Sequence, residues 1–389
     1  MKPSIRLTAS LLSAAILLLP QSCKKDNPAP LPVMPERKAQ TFNLENEVVA
    51  RYMDQVYSSP YKDNDYSYTY IESYYQTNTS YRKDRPAAVS LSWNRASGAT
   101  YQTVTISSNE LFTSPSYSCS VPITGNKTEI YNLIPGRKYY YKVEADTPDG
   151  KKIEDSFHFY TTGRRRMLNI DGIFNVRDLG GIKTADGTKR IRYGWIFRGG
   201  RMNYNDIAIT EEGKKAMRQA GIAADLDLRK DDESGKITSS PLGSGIQYKR
   251  FPTSSKGYYE KIRTADGKVN IQEMQWLIDQ LKASRPVYFH CAVGADRTGT
   301  LGFLIESLLG VSELDMSIDY ELTSFSAAGY RPRKKAKYDY PGMVAAMKTV
   351  PGSSLQEKCY SYFLNGIGGV KISKDDLDWF IGFMLEDAG

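Results

Sequence analysis

One cysteine in this sequence lies in a loop whose residue types suit an attack on a bound anion. The stretch HCAVGADRTG, residues 290 to 299, joins the apolar run PVYFH to the helical pattern TGTLGFLIESLLG. Backbone N–H groups of such a loop converge at a helix N-terminus, where unpaired donors and the helix dipole favour an anion. Gly294 permits the tight curl that turns successive amides toward one centre. The loop therefore predicts a site for an anion such as phosphate.

Two side chains of this loop suit covalent chemistry on a phosphate. Arg297 offers a planar fork for two phosphate oxygens. Cys291 lies at the mouth of the loop, where such a field lowers a thiol pKa to roughly 3.5 to 7.5. A thiolate below a phosphate held by amides and an arginine indicates hydrolysis through a cysteinyl phosphate. The residues expected to hold the phosphate are Ala292, Val293, Gly294, Ala295 and Thr298, and the last also donates to the sulfur.

The elements around the loop indicate an α/β domain. IAADLDL and PVYFH suit buried parallel strands, while EEGKKAMRQAG, IQEMQWLIDQLKA and GTLGFLIESLLG have helical spacing. We predict a mostly parallel central sheet flanked by helices over residues 168 to 389. His290 ends the strand before Cys291, so we expect it to point away from the thiol and to orient the loop. With two histidines in the chain, neither a Cys-His dyad nor a metal site is expected, and no cofactor is required.

The loop and three upstream motifs resemble a known family. C-x5-R followed by Thr resembles the signature loop of the protein tyrosine phosphatase superfamily, and FNVRDLGGIKTADG, WIFRGGR and DLDLRKDDE resemble further motifs of its bacterial tyrosine phosphatases. The resemblance implies these roles: Asn175, Arg177 and Asp178 shape the floor of the active site, Arg198 approaches the pocket, and Asp227 with Arg229 braces the signature loop. Buried ion pairs that hold the sheet are the open alternative to substrate contact for these side chains.

The chain departs from that family pattern at two places. GGR, at Gly199 to Arg201, replaces R-S-G-x, and Ala295 stands where many relatives have lysine. Such a lysine suits polyanionic lipid head groups, so its absence favours an aryl phosphate over a phosphoinositide. Lys334 or Lys335 could compensate.

The leaving oxygen needs a proton, and two aspartates are candidates. Many relatives use an aspartate on a mobile loop upstream of the cysteine. The candidate at that distance in this chain is Asp266, in the turn RTADGKV. This turn lacks the apolar neighbours that would hold a closing loop in place. Asp296 directly precedes Arg297, so its carboxylate could reach the leaving group. We expect Asp296 to be the general acid, with a loop brace paired to an arginine as its alternative role.

Residues 84 to 162 predict an all-β sandwich ahead of the catalytic domain. AAVSLSW, YQTVTIS, KTEIYNL and KYYYKVEA alternate apolar with polar residues between turn formers. The stretch resembles a fibronectin type III domain, with likeness carried by Trp93, Leu133, Pro135, Gly136 and Tyr139. It carries no catalytic constellation, so we expect a spacer or a module for protein or glycan contact.

The N-terminus predicts export. Residues 1 to 22 combine Lys2 and Arg6 with an apolar run too short to span a membrane comfortably. LLLPQSC resembles a bacterial lipoprotein signal, which implies a membrane-anchoring lipid on Cys23; plain secretion is the alternative. Residues 23 to 83 read as a tether followed by an unassigned Tyr/Asn-rich segment. Cys119 and Cys359 then fall in different domains, so no disulfide is expected.

Charge and composition narrow the functional hypotheses. The net charge of +8 sits largely in runs such as Arg164 to Arg166 and Arg331 to Lys337, which we expect to be solvated faces without nucleic-acid binding. The sequence thus predicts an exported, membrane-anchored bacterial lipoprotein that hydrolyses phosphotyrosine or related monoesters. The alternatives are an inactive phosphate-binding module, a phosphoinositide phosphatase, and a surface adhesion protein with a vestigial phosphatase domain.

Overall fold

The computed structural model describes residues 38–59, 67–75, 83–95, 98–234, 237–251, 262, 267–334 and 340–389. Its strands are β1 (Gln40–Asn43), β2 (Val89–Ser92), β3 (Tyr101–Ser107), β4 (Pro115–Val121), β5 (Lys127–Ile130), β6 (Lys138–Thr147), β7 (Gly150–Thr162), β8 (Arg166–Met167), β9 (Arg177–Asp178), β10 (Lys189–Ile191), β11 (Ile196–Gly199), β12 (Ala224–Asp227), β13 (Gln247–Arg250), β14 (Val287–His290) and β15 (Leu385–Asp387). Its α-helices are α1 (Glu47–Ser58), α2 (Glu211–Gln219), α3 (Asp231–Ser234), α4 (Gly267–Lys282), α5 (Asp296–Leu308), α6 (Glu313–Leu322), α7 (Tyr340–Lys348), α8 (Leu355–Asn365) and α9 (Lys374–Met384). The predicted signal sequence, Cys23 and the first part of the tether lie outside these ranges.

The N-terminal strands form two sheets around one apolar core, which we call the β-domain. In the described part of the chain, one sheet has the order β1-β7-β6-β3-β4 and the other pairs β2 with β5. Alternate residues of β6 point inward, as the sequence pattern predicts. Trp93 is buried in this core, and the Tyr139 hydroxyl accepts a hydrogen bond from the Ile134 N–H at 3.0 Å. The predicted strands are therefore present, and β1, β4 and β7 extend them.

The segment before the β-domain, which the sequence pattern leaves unassigned, is partly folded. Strand β1 pairs in parallel with β7. Helix α1 begins at its cap Asn46, whose side chain accepts from the N–H groups of Val48 and Val49. The apolar face of α1 packs on α6, with Val49, Met53 and Ile318 in one cluster. The described part of this previously unassigned segment thus packs against β7 and α6.

The catalytic domain is built on a mixed sheet with the order β13-β12-β14-β11-β9-β8 in the described chain. Strands β13, β12, β14 and β11 pair in parallel, as predicted, whereas β9 and β8 are antiparallel to their neighbours. Short apolar strands become buried on both faces when helices cover a parallel sheet. The parallel part places the C-terminal ends of β11, β12 and β14 at one edge, where the signature loop begins.

Helices cover both faces of this sheet, and the two-residue period of the strands decides which side chain meets which helix. In β14, Val287 and Phe289 join the core formed with α4, α5, α8 and α9. Tyr288 points to the opposite face, toward the cluster that includes Met217 of α2. The helices α2, α4 and α5 thus confirm the predicted helical segments.

Two sequence expectations concern chain-wide features. Within the described ranges, no helix combines the length and apolarity needed to cross a bilayer. The described cysteines, Cys119, Cys291 and Cys359, are free thiols.

Candidate active site

The signature loop runs from the end of β14 to the start of α5 and packs closely on the β11 edge. Gly294 has a φ of 70°, the left-handed conformation that favours glycine. A Cβ atom at this position would lie 2.3 Å from the carbonyl oxygen of Gly199. Both the backbone turn and this contact therefore require glycine at position 294.

The GGR departure from the family pattern has a structural explanation. A Cβ at Gly199 would lie 2.4 Å from the Tyr288 hydroxyl, so the serine of the family pattern does not fit. This hydroxyl instead donates to the Gly200 carbonyl at 2.5 Å. Arg201 donates from Nη1 to the Ala292 carbonyl at 3.1 Å. Tyr288 and Arg201 thus fix the β11 edge and the start of the loop together.

Cys291 is buried at the base of the loop, with 1% of its surface exposed. Burial raises the pKa of this thiol, but the Arg297 charge and the neighbouring hydroxyl and N–H of Thr298 outweigh it. The pKa of Cys291 therefore lies below the usual thiol value. The thiolate is the nucleophilic form, so the site activates this cysteine.

Arg297 is oriented by an acidic partner from α3. Its Nη1 and Nη2 atoms donate to the two carboxylate oxygens of Glu233 at 2.5 and 3.1 Å, and Nη1 also donates to the Leu228 carbonyl at 3.1 Å. The bidentate pair fixes the plane of the guanidinium. Glu233 lies in the DLDLRKDDE motif, yet sequence reasoning assigned no role to it.

Asp296 is paired with Arg331. Arg331 Nε lies 3.1 Å from Asp296 Oδ1, and Nη2 lies 3.4 Å from Oδ2. This is the brace that the sequence leaves open as the alternative to general acid catalysis. Asp266, the rival acid, and Lys335 lie outside the described residues.

His290 faces away from the thiol, toward two aspartates of β12. Its Nε2 lies 3.1 Å from Asp225 Oδ1, and its Nδ1 lies 3.3 Å from the Cys291 carbonyl oxygen. Burial lowers the pKa of His290, but the charges of Asp227 and Asp225 outweigh burial and raise it. Asp227 also pairs with Arg229 at 2.7 Å. Among these side chains, His290 contacts the start of the loop directly, and Asp227 links His290 to Arg229.

Arg177 and Arg198 form the buried ion pairs that the sequence leaves open as the alternative to substrate contact. Both are about 1% exposed and share Asp319 of α6: Arg177 Nε donates to Oδ1 at 2.6 Å, and Arg198 Nη1 pairs with Oδ2. Arg198 Nη2 also donates to the Gly294 carbonyl at 3.1 Å. These arginines therefore form buried ion pairs behind the loop. Removal of the shared carboxylate would leave buried guanidinium charges without a partner, which is strongly destabilising.

This buried cluster keeps a positive charge behind the loop. Burial raises the pKa of Asp319, but Arg177 and Arg198 outweigh it, so the pKa lies at about 2. Neighbouring Glu306 has its pKa raised well above the usual range by burial and by Asp319. The guanidinium groups of Arg177 and Arg198 share one carboxylate behind the loop, and their positive charges favour an anion in it.

Two motif residues of FNVRDLGG have different roles. Asn175 Nδ2 donates to the carbonyl oxygens of Val293 at 3.1 Å and Gly294 at 3.0 Å, so it supports the loop. Asp178 instead pairs with Arg166 at 2.9 Å and accepts from the Gly180 and Gly194 N–H groups. Asp178 thus forms one of the buried ion pairs that the sequence leaves open as the alternative, and its carboxylate also holds a nearby turn.

The prediction that the arginine runs are solvated faces is also wrong. Arg331 and Arg333 are 8% and 4% exposed, and Arg333 pairs with Glu321 of α6 at 2.8 Å. Arg165 is 4% exposed and pairs with Asp315 at 2.7 Å. Acidic residues of α6 thus pair with Arg333 and Arg165, whereas Arg331 pairs with Asp296 of α5. Lys334, proposed to replace the missing lysine, pairs with Glu72 at 2.8 Å.

The residues that sequence reasoning missed are Glu233, Asp319 and Arg331. A weak signal exists for Asp319, since it is an acid among apolar residues in a helical pattern, SIDYEL. The same chain ranges contain no group of metal-ligating side chains large enough to hold an ion. The arrangement of Cys291 and Arg297 at the start of α5 is suited to nucleophilic attack by a thiolate on a bound anion.

Comparison with known proteins agrees with this geometry. The profile of the tyrosine phosphatase family matches residues 168–367, just over half of the 389 residues. A Cupriavidus necator protein named as a tyrosine-protein phosphatase is 22% identical over 204 residues, which cover 48% of this chain and 73% of that protein.

Among solved structures, a human tyrosine phosphatase-like serine/threonine/tyrosine-interacting protein is 14% identical, with a TM-score of 0.28, over 40% of this chain and 92% of its own. The core catalytic domain of the PP-IP phosphatase SIW14 of S. cerevisiae is 13% identical, with a TM-score of 0.29, over 46% of this chain and 96% of its own. At these scores the structural likeness carries no argument about substrate. On the family match over residues 168–367, the chain belongs to the tyrosine phosphatase family.

Proposed function

We propose that this protein hydrolyses phosphomonoesters, phosphotyrosine foremost, through a cysteinyl phosphate. The observation that carries the proposal is the lowered pKa of Cys291 below the start of α5, beside an Arg297 held in place by Glu233. Together with the first-turn amides of the helix, a thiolate and an oriented guanidinium are the groups that suit a bound phosphate.

The reaction has two displacements. The Cys291 thiolate attacks phosphorus, the S–P bond forms, and the bond to the leaving oxygen breaks. Water then attacks the cysteinyl phosphate, the S–P bond breaks, and inorganic phosphate leaves. Arg297 and the loop amides hold the equatorial oxygens in both steps. The Thr298 donors beside the sulfur stabilise the thiolate when it leaves.

Asp296 is our candidate for the proton transfers. It gives its proton to the leaving oxygen in the first step and accepts one from water in the second. Its position directly before Arg297 and its contact with Arg331 support a carboxyl group at the rim of the loop. The Arg331 contact equally suits a brace, so the assignment depends on the leaving-group test described in the Discussion.

The side chain at position 295 supports an aryl phosphate as the substrate. Ala295 is fully buried and caps α5, so it adds no charge to the phosphate site. A phosphoinositide is the second candidate, because Arg331 brings a guanidinium next to the loop.

Turnover of p-nitrophenyl phosphate, a phosphotyrosine peptide and phosphoinositide vesicles by the full chain tests the proposal. We expect activity to persist in a metal chelator and kcat/KM to be highest for the phosphotyrosine peptide. Absence of turnover on every substrate would leave an inactive phosphate-binding module or an adhesion protein. A preference for the vesicles would move the assignment to the second candidate.

We also propose that the protein is exported and anchored by lipid at Cys23, and that the β-domain is a fibronectin type III-like spacer or contact module. The apolar run before Cys23 motivates the first, and the two-sheet core with Trp93 and Tyr139 supports the second. Mass spectrometry of the mature N-terminus tests the anchor: an unmodified start at another residue contradicts it.

A further inference from the structure

A chain of contacts connects the N-terminal segment to the signature loop. The Asp84 carboxylate is 1% exposed and accepts a hydrogen bond from the Asn175 N–H at 2.6 Å. Asn175 in turn holds the Val293 and Gly294 carbonyls of the loop through its side chain. Asp84 is thus one residue away from the phosphate cradle, although it lies outside residues 168–367, which the family profile matches.

The contact supports a backbone conformation that Asn175 adopts at a cost. Asn175 has a φ of 62°, in the left-handed region that non-glycine residues seldom occupy. A carboxylate that accepts from this N–H fixes the peptide and sets the direction of the side chain. A buried charge-assisted hydrogen bond is among the stronger ones available for this purpose.

Asp84 is itself held by the start of α1. The Asn46 Nδ2 donates to the carbonyl oxygens of Lys83 and Arg85, both at 2.7 Å, so it grips the residues on either side of Asp84. The Oδ1 of the same side chain caps α1 by accepting from Val48 and Val49. The helix packs on α6, which also carries Asp319. One asparagine thus ties the N-terminal helix to the segment that reaches the active site.

We propose that Asp84 is a positioning residue for the phosphatase reaction, acting through Asn175 on the carbonyls of the signature loop, and that Asn46 positions Asp84. The inference rests on the proposed function for its turnover readout. It predicts that the segment between β1 and β2, which carries Asn46 and Asp84, belongs to the catalytic apparatus of this chain.

The test compares Asp84→Ala with Asp84→Asn in the full chain. The alanine removes the acceptor, whereas the asparagine keeps an oxygen that can accept from the Asn175 N–H. We expect Asp84→Ala to lower kcat/KM for p-nitrophenyl phosphate by about 10- to 100-fold, because small displacements of reacting groups cost on this scale. The inhibition constant of inorganic phosphate should rise and alkylation of Cys291 by iodoacetamide should need a higher pH. Asp84→Asn should lie between the alanine variant and wild type.

The matched control is Asp54→Ala. Asp54 belongs to α1, pairs with Arg164 at 2.8 Å and is 73% exposed, so its loss should leave all three readouts unchanged. A purely structural role for Asp84 would lower the folded fraction, and with it kcat, while the phosphate constant and the alkylation profile stayed at wild-type values. That result, or equal losses in the alanine and asparagine variants, overturns the proposal.

A second variant keeps the test decisive if Asp84→Ala does not fold. Asn46→Asp retains the capping oxygens of α1 but replaces the donor to the Lys83 and Arg85 carbonyls with an oxygen. We expect a smaller change in the same three readouts, and no change contradicts the proposal. Should wild type show no turnover at all, the proposed function fails, whereas Cys291 alkylation and its protection by phosphate still report whether Asp84 positions the loop.

Discussion

The β-domain and the catalytic domain bury different kinds of side chain. The β-domain core is apolar, and its buried Gln102 is satisfied by Trp93 and two backbone carbonyls. In the catalytic domain, the largest fully buried side chains among the described residues include Arg177, Arg198 and Arg229, each paired with an aspartate. Both regions have buried interiors, but only the interior of the catalytic domain is built around charged side chains.

This difference indicates what each interior is for. A buried ion pair gains little or nothing over apolar packing, because the desolvation of two charges offsets their attraction. Removal of one partner is nevertheless costly, so such pairs fix geometry more than they add stability. Their concentration behind Cys291 therefore indicates that the catalytic interior positions a loop, whereas the apolar β-domain core mainly supplies stability. The following variants test this division, beginning with the largest expected effect on turnover.

Cys291→Ser should abolish turnover, by roughly 10⁴-fold or more, because the hydroxyl is a far weaker nucleophile. Phosphate binding, measured by calorimetry, should survive in this variant, since Arg297 and the loop amides remain, and should be lost in Arg297→Ala. Cys119→Ser in the β-domain is the control and should keep wild-type turnover. Comparable loss of phosphate binding in Cys291→Ser and Arg297→Ala would contradict this division of roles within the loop.

Asp296→Asn decides whether this residue belongs with the chemistry or with the braces. General acid catalysis contributes about 10²- to 10⁴-fold, and more for a basic leaving oxygen. We expect a loss on that scale with phosphotyrosine but little loss with p-nitrophenyl phosphate, whose leaving group needs no proton. If both substrates slow equally, Asp296 is a brace held by Arg331. If Asp266→Asn shows the leaving-group dependence instead, the acid lies on the other loop.

Asp319→Ala removes the shared partner of two buried arginines. We expect the free energy of unfolding to fall by about 3 to 5 kcal/mol and turnover to fall with it, because Arg198 also holds Gly294. The folded pKa of Asp319, about 2, lies below that of an unfolded aspartate. Its contribution is thus complete above about pH 4 and is lost as the pH falls toward 2. Urea unfolding of wild type and Asp319→Ala at pH 7 and pH 3 measures the loss of unfolding free energy and its dependence on pH. A loss below 1 kcal/mol at pH 7 would contradict the role of Asp319 as the shared partner.

Two buried cysteines of the catalytic domain should respond oppositely to pH. The Arg297 charge and the Thr298 donors lower the pKa of Cys291 against the effect of burial, whereas burial raises the pKa of Cys359. Above its lowered pKa the Cys291 thiol is a thiolate, so alkylation by iodoacetamide should reach its plateau at a lower pH than that of an ordinary thiol. Peptide mass spectrometry locates the label. Labelling of Cys359 first, or protection of neither by phosphate, would contradict the site electrostatics.

The sequence alone predicted what local pattern can encode. The alternation in YQTVTIS predicted β3, and the apolar run of PVYFH predicted β14. The sequence also predicted that Cys291 and Gly294 lie in the loop between β14 and α5. These features depend on backbone period and on residues adjacent in the chain.

The partners of the arginines could not be predicted in this way. Arg177 meets Asp319 across 142 residues, and Arg331 meets Asp296 across 35. Nothing in a run such as RPRKKAK distinguishes a solvated arginine from one that α6 buries. The family resemblance identified Arg177 and Arg198 as important, but their buried positions are properties of the packed sheet and helices.

Gln102→Leu in the β-domain should have the smallest effect on catalysis. Gln102 is fully buried, accepts from Trp93 Nε1 at 3.0 Å, and donates to the carbonyls of Pro122 and Gly125 at 2.8 and 3.0 Å. Leucine leaves these groups unsatisfied, which costs about 1 to 3 kcal/mol per group left unpaired. The melting temperature should fall, whereas kcat/KM and the pH profile of Cys291 alkylation, both measured well below the transition, should match wild type. A loss of kcat/KM in the folded variant would mean that a change in the β-domain core alters the signature loop. The segment around Asp84, which joins the two regions, would then be the expected path of that coupling.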